Sequence, residues 1–207
     1  MKKILIIKYF IILFIYIIIK EISFSQVSSN DDINACLKAS LSGSYYLSTN
    51  NSVKWGTDFK YGFGSNIGFI LDAGSIVDLI LVYSHYGFKV NSSTTPEDYD
   101  LHLSSDNISI NIKFKFSEQN LKPYLLLGFT QNYFDGKRYY KPTNFEKIFR
   151  VSYLTEDIGL GISYKISSLI ELDNKIIIGF QLSEIESMNL INRINFNLGI
   201  IFNLLKI

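Results

Sequence analysis

The chain has 207 residues, with 20 basic and 19 acidic side chains, a formal net charge of +1 and 47% hydrophobic residues. So balanced a charge excludes bulk electrostatic attraction to nucleic acid. The single cysteine, Cys36, excludes an internal disulfide framework, and the length fits one folded domain.

At the N-terminus, Lys2 and Lys3 precede an apolar run from Ile4 to Ile19 broken only by Lys8. Its unbroken part, 9–19, has the length of a signal-peptide core and is short for a membrane helix. Ser23 and Ser25 set small residues before a cleavage point at Gln26. This pattern predicts a signal peptide over 1–25, a short periplasmic segment over 26–35, and a folded domain over 36–207. The leader holds Lys2, Lys3, Lys8 and Lys20 against Glu21, so the remainder is slightly acidic. No later stretch approaches the run of apolar residues that a membrane helix needs.

Eight segments then alternate apolar and polar residues with the period-two signature of half-buried strands. The first, 36–47, sets Leu37, Ala39, Leu41 and Tyr45 against Lys38, Ser40, Ser42 and Ser44. The second, 58–72, sets Phe59, Tyr61, Phe63, Ile67, Phe69 and Leu71 against Lys60, Gly62, Gly64, Asn66 and Gly68. The third, 76–90, is apolar on both faces up to Ser84. The fourth starts as early as Tyr99 and ends with Ile108, Ile110, Ile112, Phe114 and Phe116 against Ser109, Asn111, Lys113 and Lys115. The fifth, 123–134, is mostly apolar on both faces. The sixth, 157–166, alternates Ile158, Leu160, Ile162 and Tyr164 with Asp157, Gly159, Gly161, Ser163 and Lys165. The seventh, 175–183, and the eighth, 195–204, repeat the pattern.

Connections alternate in length. Those at 73–75, 117–122 and 167–174 are short, and those at 48–57, 91–98, 135–150 and 184–192 are mostly longer. Outer-membrane barrels have short periplasmic turns and long external loops, so the pattern predicts an all-β, eight-stranded antiparallel up-and-down transmembrane β-barrel. Glycines decide its polarity. Gly62, Gly64, Gly68, Gly159, Gly161, Gly179 and Gly199 share the polar face with Lys38, Lys60, Lys113, Lys115, Asp157 and Lys165. An eight-stranded barrel is just wide enough for side chains to fill it, so these residues are expected to form a polar lumen cluster with a structural, charge-neutralising role. Tyr45, Tyr46, Trp55, Phe59, Tyr133, Phe134, Phe116 and Tyr124 fall near strand ends, where interfacial girdles are expected.

Three stretches resemble a known family. Leu81-Val82-Tyr83-Ser84-His85-Tyr86-Gly87-Phe88-Lys89, Lys122-Pro123-Tyr124 followed by Gly128, and Asp157-Ile158-Gly159-Leu160-Gly161-Ile162-Ser163-Tyr164 resemble the third, fifth and sixth strands of a Bacteroidetes outer-membrane β-barrel domain family, labelled PorT-like and grouped with OmpA/OmpX-type barrels. Ser23-Phe24-Ser25-Gln26 is similar to signal-peptide junctions of that phylum. The resemblance implies an outer-membrane barrel and no single activity. Ile80, at a position often acidic in the family, and the terminal Ile207, in place of an aromatic, depart from its pattern.

Candidate chemistry is sparse. If the third and fourth strands pair, His85 and His102 could approach each other with Asp98, Asp100 or Ser104. Two histidines at undefined spacing make neither a metal site nor a catalytic one, so no catalysis, metal or cofactor is expected. Gly62-Phe63-Gly64 and Gly159-Leu160-Gly161 lie inside strands and lack the strand–turn–helix context of a phosphate loop. The external segment 135–150 carries Lys137, Arg138, Tyr139, Tyr140, Lys141, Lys147 and Arg150, and is the expected interaction loop. The expected role is structural, adhesive or interactive through external loops, as a monomer in contact with outer-membrane lipid and lipopolysaccharide and not with nucleic acid. Alternatives are an accessory component of a secretion or envelope-assembly system with a protein partner there, a narrow channel, and a soluble lipocalin-like ligand-binding barrel.

Overall fold

A computed structural model describes residues 36–48, 59–72, 74, 76–90, 99–117, 119–143, 145–182 and 193–206. The predicted leader and the segment 26–35 lie outside the described residues. The strands are β1 (Cys36–Ser48), β2 (Phe59–Asp72), β3 (Val77–Val90), β4 (Tyr99–Lys115), β5 (Leu121–Tyr140), β6 (Phe145–Lys165), β7 (Ile170–Gln181) and β8 (Arg193–Lys206), with a 3₁₀ turn at Lys141–Thr143. Each strand pairs antiparallel with its neighbours in sequence, and β1 pairs with β8, closing the barrel.

The alternation seen in the sequence sets which side faces in. Leu41, Phe63, Ile67, Phe69, Leu81, Ile110, Leu160, Leu198 and Ile200 stand exposed on the outer wall, with Leu160 and Leu198 each at 64%. Lys38, Ser44, Asn66, Lys113, Asn132 and Asp157 are buried inside, Asn132 at 0% and Asp157 at 2%. This is the inverse of a soluble ligand-binding barrel, whose apolar side chains line the interior, and it removes that alternative.

The short connections are held locally. In the β2–β3 turn Gly74 adopts φ +129°, a region open to glycine, and its N–H donates to Asp72 Oδ1 at 3.2 Å. Ser117 Oγ accepts from Gln119 N–H between β4 and β5, and Ser167 Oγ accepts from Leu169 and Ile170 N–H between β6 and β7.

Two expectations need correction. The segment 135–150 is not a loop: β5 has 20 residues and β6 has 21, and they continue as a paired hairpin to the 3₁₀ turn. Its polar composition hid the strands, yet the register sets Asp135 opposite Arg150 and brings Lys137 to Glu146 across the pair, and cross-strand charge pairing supports a ladder as apolar contacts do. The girdle is also smaller than expected. Tyr45, Tyr133 and Phe116 lie on the outer wall, but Tyr46, Phe134 and Tyr124 are 1–2% exposed and point into the lumen. Trp55 and the Phe59 side chain lie outside the described residues.

Glycines on the inner wall make room for the large lumen side chains. A Cβ on Gly161 would meet the Tyr124 ring, one on Gly62 the Phe88 ring, and one on Gly179 the side chains of Arg193 and Asp157. At Gly128 the added atom would strike the Ile110 carbonyl oxygen and come within 2.8 Å of Asn111 Cα, both backbone. Replacing Gly128 with alanine is therefore expected to lower stability by about 2 kcal/mol, the scale of overpacking. Gly43→Ala, with open space around it, should leave the barrel unaffected. Urea unfolding of the two variants in detergent measures both effects.

Candidate functional site

The lumen is packed in layers. Nearest the short turns, Lys38 pairs with Asp72 at 2.9 Å and Glu171 at 3.2 Å. Lys115 pairs with Asp72 at 2.9 Å and Asp78 at 2.7 Å, and Lys122 reaches Glu171 at 3.3 Å. Lys113 donates to Ser163 Oγ at 2.8 Å and lies 4.1 Å from the centre of the Tyr124 ring. Each buried cation thus meets an anion or a ring face, which offsets part of its desolvation cost.

Next comes an apolar belt of Ile70, Ile80, Tyr124, Leu126 and Ile201. Beyond it, Arg193 donates from Nη2 to both Asp157 oxygens at 3.0 and 2.8 Å, and from Nη1 to Asn132 Oδ1 at 2.7 Å. Thr155 and Thr130 donate to the same carboxylate. Tyr46, Tyr86, Phe88 and Phe134 cover this pair toward the long connections, with the Tyr46 and Phe88 rings edge to face at 4.9 Å. The cavity between belt and ion pair, lined by Ser42, Asn66, Val82, Asn111 and Asn197 among others, holds about 30 Å³. That is room for about one water, so among the described residues side chains fill this part of the lumen.

Of the predicted lumen cluster, Lys38, Lys113, Lys115 and Asp157 are brought inside the barrel. Lys165 is exposed at the end of β6, and the Lys60 side chain lies outside the described residues. The cluster splits in two, since Asp157 serves Arg193 rather than the lysines. Sequence reasoning missed Arg193, Asp72, Asp78, Glu171 and Asp173. Glu171 and Asp173 fell in a segment read as a turn, and Arg193 just ahead of the eighth. Simple extension of the alternation backward, from Asn195 to Arg193 and from Lys175 to Asp173 and Glu171, finds them.

On the β5–β6 hairpin, Lys137 and Glu146 pair at 3.3 Å and Arg150 and Asp135 at 3.0 Å, all well exposed. Pairs so exposed contribute little to stability. Tyr139 and Tyr140 are half-buried on β5. The side chains of Arg138, Lys141 and Lys147 lie outside the described residues. The histidines do not converge: His85 stands opposite Asp106 and His102 opposite Lys137. His102 is thus about 13 Å along β4 from Asp106. Among the described residues no group of acids, histidines and cysteine is placed to hold a metal.

No family model matches the sequence, and no curated protein matches it. Solved structures do. A major outer membrane protein from Thermus thermophilus superposes with a TM-score of 0.58 at 13% identity, covering 81% of this chain and 99% of that one. Neisserial surface protein A superposes at 0.55 and 15% identity, covering 82% and 97%. Ail, the attachment invasion locus protein of Yersinia pestis, solved in complex with the heparin analogue sucrose octasulfate, superposes at 0.51 and 12% identity, covering 83% and 98%. The fold is that of small outer-membrane β-barrels.

The Arg193–Asp157 pair is the most buried ion pair among the described residues, and removing one partner leaves the other buried and uncompensated. Arg193→Ala or Asp157→Asn is expected to cost about 3–5 kcal/mol. The apolar double replacement Arg193→Met with Asp157→Leu should recover much of that loss. Urea midpoints of the three variants and the parent check the cycle.

Proposed function

We propose that the chain is an outer-membrane barrel whose work lies in its external β5–β6 hairpin. The observation that carries this reading is the inverted polarity: an apolar wall outside and a plugged polar lumen inside. Such a wall is stable only against hydrocarbon, and a plugged lumen leaves function to surfaces rather than to transport. The likeness to outer-membrane barrels supports the location, and the export leader read in the sequence supports the route.

The hairpin is the longest described extension beyond the barrel wall. Its sequence interleaves Lys137, Arg138, Lys141, Lys147 and Arg150 with Tyr139, Tyr140, Phe145 and Phe149. Cations beside aromatic rings suit anionic saccharides, through charge-assisted hydrogen bonds and stacking on sugar faces. Ail was solved with a sulfated sugar analogue, which supports an anionic polysaccharide as the partner class. The hairpin's role is interaction or adhesion, by a monomer in contact with membrane lipid and lipopolysaccharide. The PorT-like resemblance rests on three strand motifs and adds the alternative of a secretion or envelope-assembly partner.

Two measurements test this. The folded protein should sit in the outer-membrane fraction and shift its gel mobility on boiling; a soluble, unshifted protein contradicts the location. Removing 137–148 and joining the strands with a short turn should preserve that shift. The same change should weaken binding to immobilised heparin about tenfold or more, whereas unchanged binding contradicts the hairpin's role.

A further inference from the structure

On the outer wall, at the external border of the apolar band, three polar side chains from adjacent strands lie in one register row. Ser65 on β2 stands opposite His85 on β3, and His85 stands opposite Asp106 on β4. His85 Nδ1 lies 2.8 Å from Asp106 Oδ1. An ionised carboxylate can only accept, so this contact puts a proton on Nδ1, and in the neutral imidazole Nε2 is then the acceptor. The Tyr83 hydroxyl donates to the same Asp106 oxygen at 2.6 Å and fixes the carboxylate from the membrane side. Directly opposite residues on antiparallel strands hold their Cβ atoms about 5 Å apart, so Ser65 and His85 are cross-strand neighbours on the outer wall.

The surroundings fit a lipid ester. The outer-wall row below is Ile67, Tyr83 and Ile108, each close to half exposed. The row above is Phe63, Gly87 and Ser104. Space beside Gly87 is open, with no atom within 4 Å of where a Cβ would stand. No side chain therefore stands between His85 and the surface above it, and the exposed Phe63 faces Gly87 across the β2–β3 pair. The apolar side chains of Ile67 and Ile108 lie on one side of the row and Gly87 and Ser104 on the other, the change of character expected where acyl chains join their headgroups.

We propose that Ser65, His85 and Asp106 form a nucleophile, general base and orienting acid that hydrolyse a long-chain carboxylic ester of a membrane lipid. This goes beyond the interaction reading, and depends on it only for the membrane that supplies the substrate. Ser65 Oγ attacks the ester carbonyl carbon and its proton passes to His85 Nε2. The bond from that carbon to the alcohol oxygen breaks, and the departing alcohol takes the proton from Nε2. Water then attacks the acyl-Ser65 with the same base, releasing the fatty acid and restoring the serine. Asp106 holds the imidazole tautomer and stabilises the imidazolium.

The test uses the full chain purified in detergent and a water-soluble fluorophosphonate, which reports the serine without any membrane. The parent protein should be labelled, and Ser65→Ala and His85→Ala should each lose about a hundredfold or more of that labelling, the scale of general-base assistance. Ser152→Ala, on the outer face of β6 away from the row, should label like the parent. Each variant must keep the mobility shift on boiling, so that loss of folding is not mistaken for loss of chemistry. Fatty-acid release from phosphatidylethanolamine vesicles and from lipopolysaccharide micelles then identifies the lipid. An unlabelled parent, labelling that survives Ser65→Ala, or no release from either lipid would overturn the proposal.

Discussion

Closure of β1 onto β8 is the constraint on which the rest depends. A strand in hydrocarbon must pair its backbone on both sides, because no water is there to do so. The eight antiparallel pairings, with β1 bonded to both β2 and β8, meet that demand around the whole wall. Once the sheet is closed, each residue faces either the outside or a lumen of fixed width. Every second residue then becomes apolar, and the polar ones have nowhere to go but inward.

A narrow polar interior has its own cost, and the lumen meets it by matching sizes and charges. Glycines at 62, 128, 161 and 179 stand where Phe88, Asn111, Tyr124 and the Arg193–Asp157 pair need space. Lysines near the short turns are set against Asp72, Asp78 and Glu171, and Arg193 is set against Asp157 and Asn132. Buried ion pairs are weak evidence for stability, because desolvation offsets their attraction. Their role here is to fill a polar tube without leaving a charge alone. A tube filled in this way is the reason that the proposed recognition and chemistry are placed on the β5–β6 hairpin and the outer wall.

The fold was largely legible because period-two alternation carries topology directly. The eighth segment, with Leu198 out and Asn197 in, reads the same in sequence and structure. Where legibility failed, the cause was local. Strands whose polar residues cluster, as at 135–150 and at Glu171 and Asp173, look like loops until their cross-strand partners are known. Aromatic residues were assigned to the girdle by position along the strand, but parity decides, and Tyr46, Phe134 and Tyr124 have lumen parity. His85 was paired in sequence with His102, Asp98, Asp100 or Ser104; register instead supplies Asp106 and Ser65, which no spacing within one strand reveals.

The central claim is that the exposed apolar wall faces lipid. A Trp55→Phe background with a single tryptophan placed at 198, on the outer wall of β8, tests it most directly. In vesicles, lipids brominated along their acyl chains should quench that tryptophan strongly, and aqueous iodide should not. Quenching by iodide without quenching by brominated lipid would place this face in water and contradict the account.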